Sequence, residues 1–138
     1  MLRDLKLSQI QLIVLLSKAA SQERNAVMRK ISHHETGEPG AAHGEHNEVG
    51  SLGLEILGDN SRQIVALRRE IEKLPFAARH ELYAVMRIGQ SGFAPRDWDQ
   101  AIDEATRLGV SSITGTLLDD AELHDHLTKA LYEMGLAA

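Results

Sequence analysis

The stretch SRQIVALRREIEKLPFAARHELYAVMRIG, residues 61–89, decides the fold class. Its first part carries apolar side chains at intervals of three and four residues, which place them on one face of a helix. They are Ile64, Leu67, Ile71 and Leu74. Pro75 ends this helix and can begin the next one, because the first turn of a helix does not use the N–H that proline lacks. The stretch therefore predicts two consecutive helices, over residues 61–74 and 75–89.

Helical patterns continue on both sides of this stretch. Downstream they predict helices over residues 95–108 and 119–134, with a short helical turn at 111–118 between them. Upstream, the pattern predicts a helical segment over residues 1–32, and its apolar positions between Leu5 and Ala20 cover most of the helix circumference, which indicates burial on several sides. The run LIVLL could instead form a strand, but the chain offers no partner strand. We predict an all-α fold, a small helical bundle of five or six helices.

Residues 33–50, HHETGEPGAAHGEHNEVG, interrupt the helical pattern. The segment holds four histidines and four glycines and has no apolar periodicity, which is typical of a flexible loop. His43 and His46 are weak metal candidates, because a helix that would make them converge is opposed by Gly40 and Gly44. We predict no metal site here. The whole chain, 1–138, is expected to be one domain, with an N-terminal helical segment (1–32), this loop (33–50) and a helical core (51–138).

Composition excludes several classes of protein. Fifteen basic and twenty acidic residues give a net charge of -5, which repels the phosphate backbone of nucleic acids. The absence of cysteine excludes disulfides and thiolate zinc sites. The longest apolar run is Leu12 to Leu16, whereas a membrane-spanning helix needs about 20 apolar residues. We expect a cytoplasmic protein without a membrane span.

The sequence carries no catalytic signature. It contains neither a Gly-x-Ser-x-Gly nucleophile elbow nor a Gly-x-x-x-x-Gly-Lys phosphate loop. His124 and His126 lie two residues apart, so on a helix they point to nearly opposite sides and cannot bind one ion together. Each has an acid four residues earlier, and we predict surface contacts of His124 with Asp120 and of His126 with Glu122.

Several motifs of the second half resemble a known family. ELYAVMRIG at residues 81–89 is followed by Trp98, and LHDHL at 123–127 is followed by Leu131. Together they are similar to the bacterial family known as domain of unknown function 3775, from about residue 61 to 135. Arg87 stands where the family has an aromatic residue, and Gln90-Ser91-Gly92 replaces its Arg-Gly-Asp. The resemblance implies a small helical bacterial protein and no established activity. The candidate ligand-binding residues are Arg87, Gly89, Gln90 and Trp98.

We predict a non-enzymatic protein-binding or adaptor domain that forms a homodimer through its N-terminal apolar helix. A domain of this size has difficulty covering every side of such a helix, so a partner helix could complete its burial. No catalytic residue and no cofactor is predicted. One alternative is a nucleic-acid-binding regulator, suggested by helix content and the basic residues of the first half. The other is a metal-dependent hydrolase, suggested by seven histidines and abundant acids.

Overall fold

A computed structural model of the chain describes residues 2–37 and 62–136, with side chains through Ala26 in the first stretch. Six α-helices are found there, with a short 3-10 helix at Pro95–Asp97. They are α1 (Leu7–Gly37), α2 (Arg62–Lys73), α3 (Phe76–Gly89), α4 (Trp98–Leu108), α5 (Val110–Asp119) and α6 (Leu123–Glu133). Neither described stretch contains a strand. The predicted all-α bundle of five or six helices is confirmed.

Helix boundaries in the second half agree with the sequence pattern to within a few residues. Pro75 separates α2 from α3 as expected, and the short turn expected at 111–118 is the full helix α5. The N-terminal segment was expected to end at residue 32, but α1 continues to Gly37, because no glycine or proline interrupts it earlier. The rest of the predicted loop, with His43 and His46, lies outside the described residues.

Helix α3 lies at the centre of the bundle. Nine of its fourteen residues are buried, and it packs against α4, α5 and α6. Helix α1 packs against α2 and α6 and buries Ile10, Ile13, Ser17 and Ala20. The opposite side of α1 is therefore left at the surface. Within the described part of the chain, no helix is both long and apolar enough to cross a membrane.

A buried carboxylate fixes the start of α1 onto α3. Glu81 is 6% exposed, and its two carboxylate oxygens accept the backbone N–H groups of Arg3, Asp4 and Leu5 at 2.9–3.2 Å. Hydrogen bonds to a charged acceptor are roughly twice as strong as neutral ones. These bonds link residues 76 to 78 positions apart, so they hold the N-terminal segment on the bundle.

Candidate functional site

A chain of hydrogen-bonded polar side chains begins beside the end of α3. Tyr83 Oη donates to Glu104 Oε1 at 2.7 Å, and Arg87 Nε donates to Glu104 Oε2 at 3.4 Å. Arg87 Nη1 donates to Gln90 Oε1 at 3.1 Å, and the guanidinium lies 5.4 Å from the ring centroid of Phe93. Burial, and then the hydrogen bond to Glu104, raise the pKa of Tyr83 to about 12. The predicted candidates Arg87 and Gln90 thus hydrogen-bond to each other.

The series of side-chain hydrogen bonds continues from Gln90 to Asp120 and then to His126 on α6. Gln90 Nε2 donates to Asp120 Oδ2 at 3.2 Å, and His126 Nδ1 lies 2.6 Å from the same oxygen. Asp120 Oδ1 accepts the backbone N–H of Glu122 at 3.1 Å. The side chain of His126 thus pairs with Asp120, and the predicted side-chain contact with Glu122 is wrong. Only the backbone N–H of His126 reaches Glu122, and it donates to the Glu122 carbonyl oxygen at 3.0 Å. Glu122 is the N-cap residue of α6 and has non-helical backbone angles, so the spacing of side chains on a helix surface does not apply to it.

The two histidines of α6 do not form a metal site. His124 Nε2 lies 3.6 Å from Asp125 Oδ1, so the predicted contact with Asp120 is also wrong, since Asp120 precedes the helix. His124 Nδ1 is buried without a hydrogen-bond partner. Among the described side chains, those of residues 2–26 and 62–136, no group of three histidine, aspartate or glutamate residues could hold a metal ion.

Of the two glycines after Arg87, Gly89 is required by close packing against backbone, whereas Gly92 lies against the flexible end of the Arg87 side chain. A Cβ atom on Gly89 would lie 1.8 Å from the backbone carbonyl oxygen of His126, so this glycine lets α3 approach α6. A Cβ atom on Gly92 would lie 2.5 Å from Arg87 Nη1. Between them, Ser91 adopts a positive φ of 65°. Gly89 therefore has a packing role, and the ligand-binding role of Arg87, Gly89 and Gln90 stays a prediction.

Trp98 lies in a separate groove. The groove has a volume of 260 Å³ and is formed with the first half of α3 and the N-terminal segment. Besides Trp98 its lining includes Arg3, Ala77, Glu81 and Asp99. Trp98 is the first residue of α4 and shares this groove with Ala77 and Glu81 in the first half of α3, away from the end of α3 at Gly89. Its ligand-binding role also stays a prediction.

The outer side of α1 has no charged side chain along its first three turns. None of the eleven residues from Leu7 to Ser17 is charged, although five of them are exposed. We define the α1 stripe as the outward positions Ser8, Gln11, Leu12, Leu15, Ala19 and Gln22. Leu12 is 42% exposed and Leu15 is 65% exposed. The α1 stripe is therefore an uncharged, partly apolar surface opposite the core face of the helix.

A groove runs beside the stripe where α1 meets α6. It has a volume of 450 Å³, and no charged residue lines it. We define the α1–α6 groove by its lining residues, which are Gln11, Val14, Leu15, Thr128 and Leu131. Tyr132, which is 77% exposed, lies four residues after Thr128 on the same side of α6. Sequence reasoning missed this groove, although the lack of charge from Leu7 to Ser17 was visible.

The polar side chains around Arg87 and the α1 stripe differ in whether their groups already have partners within the bundle. The polar side chains from Tyr83 to His126 hydrogen-bond to one another, and these bonds join α3, α4 and α6. The exposed leucines of the α1 stripe have no such partners in the bundle. Removing apolar surface from water lowers the free energy of the system. The α1 stripe and the α1–α6 groove are therefore the better candidate for a binding surface.

Comparison with known proteins identifies the family of the chain and nothing more specific. No curated protein and no solved structure gives a significant match. A family model described as "Protein of unknown function (DUF3775)" matches residues 65–136, which cover α3 to α6 and most of α2. This match spans more than half of the 138 residues and contains the motifs that suggested the resemblance. The chain therefore belongs to the DUF3775 family.

Proposed function

We propose that the protein is a non-enzymatic protein-binding domain that forms a homodimer through α1. The observation that carries this proposal is Leu15, which is 65% exposed in the middle of an uncharged helical surface. Interface cores are depleted in charged residues relative to other protein surfaces. Helix α4 shows the contrast, because its exposed positions include Asp99, Asp103 and Arg107.

Burial of the α1 stripe alone does not supply enough free energy to hold two copies together. Full burial of a leucine side chain contributes about 1.5–3 kcal/mol. Covering the exposed parts of Leu12 and Leu15 would therefore contribute roughly 2 kcal/mol per copy. Association costs at least about 4 kcal/mol in lost translational and rotational freedom. The four leucines of two copies only match that cost, so the α1–α6 groove has to belong to the same interface.

The test is the mass of the protein in solution, measured by light scattering across a wide concentration range. We expect the wild type at twice the 15.2 kDa of one chain. Leu15→Glu brings two carboxylates into an apolar interface, so we expect a monomer with an unchanged circular dichroism spectrum. Leu108→Glu is the matched control, because Leu108 is 43% exposed and lies on α4. A monomeric wild type, or equal effects of both substitutions, would contradict the proposal.

The alternatives named from the sequence gain no support from the described residues. The histidines of α6 do not assemble a metal site, and the basic side chain of Arg87 is engaged with Glu104 and Gln90. A nucleic-acid-binding regulator would show salt-sensitive association with DNA or RNA. A metal-dependent hydrolase would contain stoichiometric metal when it is prepared without an affinity tag.

A further inference from the structure

We infer that the two copies pack their α1 helices antiparallel around Leu15, with Leu15 of each copy filling the α1–α6 groove of the other. This inference rests on the proposed homodimer and names its geometry. It is argued from the shape of the α1–α6 surface and from the exposed Lys18 beside the α1 stripe.

The surface is complementary to itself. A two-fold interface uses the same patch on both copies, so the patch must carry both a protruding group and the recess that receives it. Leu15 lines the α1–α6 groove and is nevertheless 65% exposed, so it protrudes beside a recess with Val14, Thr128 and Leu131 in its walls. Near a two-fold axis a residue meets its own equivalent. Leu15 of the second copy would then lie over the groove that adjoins Leu15 of the first.

The position of Lys18 beside the α1 stripe favours the antiparallel orientation. Lys18 is exposed and lies one turn after Leu15 on the groove side of α1. In a parallel pair the two Lys18 ammonium groups would lie at the same height and repel each other. In an antiparallel pair centred on Leu15, each Lys18 lies opposite Leu12 of the other copy. Antiparallel packing also places opposite ends of the two helix dipoles together.

This geometry fixes which stripe positions meet. Ser8 and Gln22 are each seven residues from Leu15, which is about 10 Å along the helix. In the antiparallel pair Ser8 of one copy therefore faces Gln22 of the other, and the two Ser8 residues are about 20 Å apart. In a parallel pair Ser8 would face Ser8. A disulfide requires Cα atoms within about 4.4–6.8 Å, so it distinguishes the two cases.

Disulfide cross-linking of the full chain tests the inference cleanly, because the protein has no cysteine of its own. We expect Leu15→Cys to cross-link with itself under mild oxidation on a non-reducing gel. Ser8→Cys alone and Gln22→Cys alone should stay uncross-linked, whereas an equimolar mixture of the two variants should cross-link. Leu108→Cys, an exposed position on α4, is the control for random collision and should not cross-link.

The outcomes separate this inference from the proposed function. If the protein has the mass of a dimer but Ser8→Cys cross-links with itself, the antiparallel geometry is overturned and the homodimer stands. The same holds if both Leu15→Cys and the mixture of Ser8→Cys with Gln22→Cys stay uncross-linked in a dimeric protein. If the wild type is a monomer by light scattering, the homodimer itself is overturned.

Discussion

The tight contact between α3 and α6 can be tested by giving Gly89 a side chain. A Cβ atom on Gly89 would lie 1.8, 2.5 and 2.8 Å from three backbone atoms of His126, whereas ordinary contact begins at 3.4 Å. The two helices would have to separate by roughly 1.6 Å, because backbone atoms cannot rotate aside as a side chain does. Overpacking of this kind costs about 3 kcal/mol or more, against a helix-propensity gain of at most about 1 kcal/mol. We expect Gly89→Ala to lower the free energy of unfolding by at least about 2 kcal/mol.

Urea unfolding followed by circular dichroism measures this loss, and thermal unfolding should show a midpoint lowered by about 6–10 °C at this chain length. Gly115→Ala is the matched control, since Gly115 also lies in a helix but has no atom within 4 Å of the added Cβ. It should stabilise the protein by about 0.5–1 kcal/mol. The packing argument is refuted if Gly89→Ala unfolds within about 0.5 kcal/mol of the wild type.

Two further predictions concern buried polar groups. Glu81→Gln keeps one acceptor oxygen but loses the charge that holds the N–H groups of residues 3–5, so urea unfolding should show a loss of about 2–3 kcal/mol. A loss below about 0.5 kcal/mol would show that those bonds do not hold the N-terminal segment. Tyr83 has its pKa raised from 10.0 to about 12 in the folded protein, so the unfolded chain loses this proton first and stability should fall between pH 10 and 12. Tyr83→Phe should remove that part of the fall, and an identical pH profile for the variant would contradict the assignment.

The sequence by itself determined where the helices lie and which family the chain belongs to. Apolar spacing of three and four residues, with Pro75 between two such runs, was enough to place α2 and α3. These signals are local, because a helix is made of hydrogen bonds between residues four apart. The family motifs also lie in one continuous part of the chain, within residues 65–136, so they could be recognised from the order of residues alone.

Only the tertiary structure decided which helix faces meet. Glu81 binds backbone groups more than seventy residues away, and Gly89 is needed because the backbone of His126 passes beside it. The partner of His126 is Asp120, beyond the start of its helix, where helical spacing no longer predicts contacts. The α1–α6 groove likewise joins segments at opposite ends of the chain. Such contacts depend on how whole helices pack across long chain separations, and the spacing of residues along one helix does not encode that packing.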